Sequence, residues 1–167
     1  AASDVYKRQV RKSPSLGAKP PRDAVVLFDG TKESMKNWQG GRFDEKTGLL
    51  NTDGNDIRTK QKFLNYIMHV EFMLPFKPDA RSQGRGNSGF YQVDMYEMQI
   101  LDSFGLMGLN NECGGIYQKA DSKVNMCLPP LQWQVYDVDF NSAVMKDAKK
   151  VSNAVLTARL NGVTIHE

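Results

Sequence analysis

Glu97 and Gln99 are the two residues whose types and spacing point most directly to chemistry. They stand two positions apart in the run YEMQIL, residues 96–101. Because successive side chains of a strand alternate between its faces, a carboxylate and an amide are predicted side by side on one face. Asp102 falls on the other face by strict alternation, and a β-bulge near residues 100–101 would return it beside them. Two carboxyl groups and an amide on one surface are suited to general acid–base chemistry.

A solvated outer strand face explains the same polar residues without any chemistry. Two features favour a ligand site instead. Gln and Glu have low strand propensity, so a strand gains little by placing both on one face. The preceding loop contains Gly84, Gly86 and Gly89, which permit a tight backbone and the close approach of a ligand.

A second polar pair, His69 and Glu71, shares one face of the predicted strand 66–74. The His69 imidazole could serve as an acid near neutral pH. The alternative is an exposed strand histidine held by Glu71. The side chains of His69, Glu71, Glu97 and Asp102 could together hold a divalent cation, although no spacing in the chain requires a metal.

Short strands are the elements that would position these residues. Two hairpins are predicted, 88–93 with 96–101 about Asp94-Met95, and 154–160 with 163–166 about Asn161-Gly162. Further strands are expected at 24–28, 66–74 and 133–140, and a charged loop at 143–151. The strand at 133–140 is expected to face the core with Tyr136, Val138 and Phe140. About nine short strands separated by turn signals, with scarcely any helical periodicity, predict an all-β fold, an antiparallel β-sandwich or barrel.

Length and composition indicate one globular domain, predicted over residues 23–167 of the 167-residue chain. Residues 1–22 are basic and contain three prolines, which predicts a disordered lead-in, and residues 1–9 resemble translated sequencing-adapter sequence. The lead-in has a net charge of +5 within a chain of +3, which leaves −2 for the remainder. Neither nucleic acid nor membrane insertion is therefore expected. The chain stops within a predicted strand, so we expect a C-terminal truncation.

The two cysteines, Cys113 and Cys127, allow two interpretations. They are either buried free thiols or one disulfide that closes a loop of about 15 residues, worth roughly 3 kcal/mol. Oxidation would imply an extracytoplasmic location.

Several sequence blocks stand in order between residue 23 and residue 167. They are DAVVLFDGT, DIRTK, IMHVEFMLP, GRGNSGFY, YEMQILDSFG, CGGIYQ, VNMCLPPLQWQVYDVDF and LNGVTIHE. Together they resemble the 3-keto-disaccharide hydrolase domain family. The resemblance implies a concanavalin A-like, laminin-G-like jelly-roll β-sandwich that continues past the end of this chain. It also implies an exported bacterial hydrolase, periplasmic or secreted, although this chain carries no signal-peptide core. Its substrates would be 3-keto-glucosides and 3-keto-disaccharides.

A ketone at C3 acidifies the C2 proton, so the implied reaction is proton abstraction at C2, elimination at C1 and hydration. Glu97 is then expected as base or acid with Asp102 as its partner, and His69 as an acid. The residues expected to bind the substrate are Gln99, Asn87, Arg58, Lys60, Glu71, Tyr91 and Tyr117. Arg58 or Lys60 would stabilise the enolate. The amides of Gln99 and Asn87 would form hydrogen bonds, and the rings of Tyr91 and Tyr117 would stack on a sugar ring.

Two other functions fit the same fold, because fold does not determine function. A non-catalytic, lectin-like carbohydrate-binding module would bind sugar without forming product. A structural adhesion domain would present an extensive apolar patch in place of a polar groove.

Overall fold

The computed structural model describes residues 12–167, and the lead-in residues 1–11, including the whole adapter-like stretch 1–9, lie outside the described part. The described chain is almost entirely antiparallel β-structure, which confirms the predicted fold class. It divides into two compact units, residues 18–63 and residues 64–167 together with 12–17. A single domain was expected over 23–167. No helix within the described residues is long and apolar enough to span a membrane.

The smaller unit contains two short antiparallel pairs. A 3-10 helix, Lys32–Asn37, precedes β1 (Trp38–Gln39), which pairs with β4 (Arg58–Thr59). Between them β2 (Arg42–Asp44) pairs with β3 (Leu49–Asn51).

The strand predicted at 24–28 is absent from this unit. The carbonyl of Leu27 accepts hydrogen bonds from the Trp38 indole and the Asn37 amide, and the carbonyl of Val26 also accepts from Asn37. These side chains occupy carbonyls that a strand ladder would use, and Val25 and Val26 stay exposed. The apolar run was therefore misinterpreted as a strand.

The larger unit is a two-layer arrangement of strands. Its strands are β5 (Asn65–Met73), β6 (Ser88–Gln92), β7 (Tyr96–Ile100), β8 (Trp133–Asn141), β9 (Val144–Lys146), β10 (Lys149–Ser152), β11 (Val155–Leu160) and β12 (Val163–His166). One layer is the sheet β12-β11-β8-β5, and the other is the β6–β7 ribbon. A 3-10 turn, Ser82–Gly84, precedes β6.

The core lies between these layers. Tyr136, Val138 and Phe140 alternate along β8 toward the ribbon and are fully buried, as the sequence predicts. Met98 of the ribbon is equally buried, and the Phe90 ring meets the Tyr136 ring edge-on at 5.2 Å. Burying each large apolar side chain between the ribbon and the sheet contributes about 1.5–3 kcal/mol to the stability of the folded state.

Both predicted hairpins form. The Asn161-Gly162 turn joins β11 to β12 with φ of 52° and 82°, the left-handed pair that a two-residue hairpin turn requires. In the β6–β7 hairpin the left-handed residues are Val93 and Asp94, one position earlier than predicted.

Two expectations for the larger unit are wrong. The charged stretch 143–151, expected as a loop, forms the β9–β10 hairpin about Asp147 and Ala148, which both have positive φ. Residues 13–17, expected within a disordered lead-in, pack on the four-stranded sheet and are called the strap below. Ser13 is buried, and Pro14 lies so close to Gly162 that an added Cβ there would stand 2.5 Å from Pro14 Cγ.

The strap contact predicts a difference between two glycine substitutions. Gly162 and Gly105 have similar φ, +82° and +76°, but an added Cβ meets Pro14 at Gly162 and nothing within 4 Å at Gly105. Both Gly162→Ala and Gly105→Ala should destabilise the fold by about 1 kcal/mol through backbone strain. Gly162→Ala should cost more, because Pro14 must move. Urea unfolding measures the free energy of unfolding of both variants. Equal losses of stability would show that the strap does not pack against Gly162.

Candidate functional site

The outer face of the β6–β7 ribbon carries Glu97. Cross-strand pairing sets Tyr91 opposite Glu97 and Gly89 opposite Gln99, while Phe90 and Met98 point inward to the core. The prediction that Glu97 and Gln99 share a strand face is therefore consistent with the observed register.

The Glu97 carboxylate is held in a defined position above the strand. The Tyr91 hydroxyl donates a 2.9 Å hydrogen bond to Oε2. Oε1 lies over Gly89, where any Cβ would collide with the carboxylate. The backbone of Glu97 is also fixed, because its carbonyl accepts a 2.9 Å hydrogen bond from the Tyr117 amide. Gly89 thus leaves the space in which this carboxylate lies.

Gln99 is buried instead of facing solvent, with only 1% of its surface exposed. Its Nε2 donates a 2.9 Å hydrogen bond to Gln83 Oε1, and its Oε1 accepts from the Ile100 amide. Gln83 lies in the turn Ser82–Gly84 and donates in turn to the Asn111 carbonyl. The predicted sugar-binding amide therefore joins this turn to β7.

Asp102 is also bound by a residue of the loop that follows this turn. The regular β6–β7 register ends at the pair Ser88–Ile100, and beyond it the Asp102 amide donates a 3.0 Å hydrogen bond to the Arg85 carbonyl. The Asp102 carboxylate is buried and forms an ion pair with Arg85. Because a buried carboxylate without its partner is left uncompensated, losing such a pair costs about 3–5 kcal/mol.

Arg85 was missed by the sequence analysis. The available signal was an arginine in the glycine-rich run GRGN before β6. Its partner lies 17 residues away, across the hairpin, so no local pattern indicates the pairing.

Tyr136 supports β7 from beneath. Its hydroxyl donates a 2.7 Å hydrogen bond to the Gln99 carbonyl and accepts a 2.6 Å bond from the Gly114 amide. Complete burial raises the pKa of Tyr136 well above its ordinary value, so the hydroxyl keeps its proton. Cys113 and Cys127 lie nearby as buried free thiols, the first of the two alternatives above. Burial raises the pKa of Cys113 well above the usual thiol value.

His69 lies on the opposite side of the sandwich from Glu97. It projects from the outer face of β5, where Nδ1 is 2.6 Å from Asp137 Oδ1 and Nε2 is 3.2 Å from Glu71 Oε1. Burial alone would lower the pKa of His69, but the hydrogen bonds to Asp137 and Glu71 outweigh it and raise the pKa. The structure therefore separates His69 and Glu71 from Glu97 and Asp102.

The His69 cluster holds the strap. The Ser15 hydroxyl donates a 2.7 Å hydrogen bond to Asp137 Oδ2, and the Gly17 amide donates to Glu71 Oε1. The carboxylates flanking His69 are thus also the acceptors for the strap. These contacts give the polar groups of His69 and Glu71 partners within the fold, and the roles predicted for them in chemistry stay predictions.

The other predicted binding residues are placed as follows. Asn87 is exposed immediately before β6, and Tyr117 is half-buried beside Glu97 through its backbone. Arg58 and Lys60 belong to the smaller unit, and their roles stay predictions. Residues 12–167 contain no group of three or more His, Cys, Asp or Glu side chains arranged to hold a metal ion.

Two hollows of about 290 and 240 Å³ occur in the larger unit. The first is lined by Tyr96, Ile116, Ala120, Phe140, Ala154, Leu156, His166 and Glu167. The second is lined by Lys12, Leu16, Leu128, Gln132 and Trp133. Glu97 contributes to neither of them, so its carboxylate lies on a strand face outside both hollows.

Comparison with known proteins gives a family and two similar structures. The family model described as 3-keto-alpha-glucoside-1,2-lyase-like domain matches residues 23–167, which confirms the resemblance found in the sequence. A crystal structure of a candidate glycosyl hydrolase from Parabacteroides distasonis has a TM-score of 0.79 and 33% identity, and the match covers 88% of this chain and 65% of that one. This chain therefore spans less than two thirds of that protein. No curated protein matches.

A second candidate glycosyl hydrolase from Parabacteroides distasonis has a TM-score of 0.58 and 16% identity, over 84% of this chain and 69% of that one. At this identity the similarity shows the fold alone.

The His69 cluster predicts a pH-dependent stability. Because the folded pKa is raised, the stabilisation is complete below the unfolded value, about 6.5, and is lost as pH rises through the folded pKa. His166, whose pKa is lowered by burial, has the opposite dependence, so the comparison is made against His69→Gln. Urea unfolding from about pH 5.5 to about pH 8.5 should show the wild-type advantage over His69→Gln shrinking. A constant difference would contradict the charged His69 bridge.

Proposed function

Because the chain belongs to the 3-keto-alpha-glucoside-1,2-lyase-like domain family, we propose that it cleaves glycosides whose glucose unit carries a ketone at C3. The observation that carries the proposal is the Glu97 carboxylate, held by Tyr91 over Gly89 on the outer face of the ribbon. The similarity to a candidate glycosyl hydrolase at 33% identity supports a carbohydrate substrate.

In the proposed reaction Glu97 is the base. It takes the proton from C2, and the electron pair of the C2–H bond forms a C2–C3 double bond while the C3 ketone becomes an enolate. The C3 carbonyl then re-forms and the C2–C3 electron pair moves to make a C1–C2 double bond. The C1–O bond breaks at the same time, and its electron pair leaves with the glycosidic oxygen. That oxygen takes a proton, and water adds to the resulting enone at C1 with a proton at C2, so the net reaction is hydrolysis.

The contacts of Glu97 suit a group that both accepts and returns a proton. Tyr91 donates a hydrogen bond to Oε2, whereas no hydrogen bond to the Oε1 atom comes from the described residues around it. His69 faces the other side of the sandwich. We therefore infer that the protonated Glu97 itself delivers the proton to the leaving oxygen.

Asp102 and Gln99 take structural roles in this mechanism. Asp102 is paired with Arg85, and Gln99 with Gln83. A conventional retaining glycosidase needs two free carboxyl groups about 5–5.5 Å apart. With Asp102 buried in an ion pair, the elimination route, which needs a single carboxylate base, fits the site better.

A lectin-like carbohydrate-binding module is the second candidate. It is favoured by the same burial of Gln99 and Asp102, because the half-buried Glu97 carboxylate and the exposed Tyr91 can bind sugar hydroxyls and a sugar ring without catalysis. This alternative predicts binding of the 3-keto-glucoside with no release of aglycone.

Glu97→Gln tests the proposed base. Removing the carboxylate should lower kcat for aglycone release from a nitrophenyl 3-keto-glucoside by about 10²–10⁴-fold, since an amide cannot accept the C2 proton. Asp139→Asn is the matched control, because Asp139 is an exposed strand carboxylate on the other layer. Its kcat should equal that of the wild type.

The two candidate functions give different outcomes in this assay. Release of aglycone by Glu97→Gln at the wild-type rate excludes Glu97 as the base. Binding of the 3-keto-glucoside by the wild type, measured by calorimetry, without any release supports the lectin-like alternative.

A further inference from the structure

Arg85 is a half-buried cation that is anchored by a buried carboxylate. Its partner Asp102 has 2% of its side-chain surface exposed, whereas the Arg85 side chain is 30% exposed. The ion pair uses Nη2 of the guanidinium. A guanidinium has five N–H donors in a rigid fork, so most of its donors are left for another acceptor.

The backbone around Arg85 is fixed at both ends. Its amide donates to the Ser82 carbonyl at 3.0 Å, and its carbonyl accepts from the Asp102 amide at 3.0 Å. The ion pair and these bonds leave little freedom to the guanidinium. Catalytic donors are effective when they are held in place before the charge develops, because no reorganisation is then needed.

The loop that bears Arg85 lies on the Glu97 side of β7. Glu97 and Gln99 alternate onto the same strand face, and the Gln99 side chain bonds to Gln83, two residues before Arg85. Arg85 is therefore a cation tied to the Gln99 end of the strand face that presents the Glu97 carboxylate.

We propose that Arg85 is a catalytic residue that donates hydrogen bonds to the C3 oxygen of the substrate, and that Asp102 is the residue that positions it. This inference rests on the function proposed above. When the C2–H electron pair forms the C2–C3 double bond, the C3 oxygen gains a full negative charge, which an adjacent guanidinium stabilises through charge-assisted hydrogen bonds. The ground-state ketone is neutral, so the interaction strengthens in the transition state and acts on kcat.

The roles expected from the sequence change accordingly. Arg58 and Lys60 were expected to stabilise the enolate, and Asp102 to share the acid–base work with Glu97. Arg85 supplies the enolate donor from the loop that contacts β7, and Asp102 is its ion-pair partner.

Arg85→Ala alone is an ambiguous test, because it leaves the Asp102 carboxylate buried without a partner. Replacing both members of a buried ion pair by apolar residues of similar volume is often neutral for stability. The informative protein is therefore the double variant Arg85→Met/Asp102→Leu, checked by urea unfolding. It should stay folded and lose about 10²–10³-fold in kcat on a nitrophenyl 3-keto-glucoside, with a smaller change in KM.

Chemical rescue separates a catalytic guanidinium from a structural one. Guanidinium chloride at about 10 mM, far below denaturing concentrations, should raise kcat of Arg85→Ala at least about tenfold and leave Glu97→Gln unchanged. Wild-type kcat in the folded double variant would overturn the inference. So would an inactive double variant combined with no response of Arg85→Ala to guanidinium. A wild-type protein that releases no aglycone overturns the proposed function, and the inference with it.

Discussion

The position of Glu97 depends on the packing of β7 against Tyr136. This one side chain stacks on Phe72 within its own sheet at 5.2 Å and meets Phe90 of the ribbon edge-on. Its hydroxyl also binds the Gln99 carbonyl. An apolar ring and a buried, satisfied hydroxyl thus join the two layers at one point. Since strand faces alternate, fixing Gln99 from below sets the outward direction of Glu97.

The two outer faces of the larger unit differ in what covers them. On the four-stranded sheet His69 binds both Glu71 and Asp137, and these two carboxylates accept hydrogen bonds from the strap. On the ribbon, Gln83 binds the side chain of Gln99 and Arg85 binds that of Asp102. The Glu97 carboxylate accepts a hydrogen bond from Tyr91. A satisfied cluster stabilises structure, whereas a carboxylate held on an outer strand face is available to a ligand.

The sequence predicted those features that depend on neighbouring residues, such as strand alternation and a two-residue turn. The alternation of β8 identified its buried residues, and the Asn161-Gly162 pair identified its hairpin, because both signals lie within a few neighbouring residues. The β9–β10 hairpin was missed because Asp147-Ala148 adopts left-handed φ without glycine or asparagine. Alternation also placed Gln99 on the face of Glu97 but did not reveal the turn that covers it. Partners such as Arg85 for Asp102 and Ser15 for Asp137 depend on tertiary folding, which no spacing encodes.

The central claim is that a single carboxylate on the ribbon face removes the C2 proton of a 3-keto-glucoside. Proton NMR in D₂O measures this step directly, because a C2 proton that is abstracted and replaced from solvent is exchanged for deuterium. The account predicts that every molecule of sugar product carries deuterium at C2. Cleavage that leaves the C2 proton in place would contradict it and would indicate direct displacement at C1.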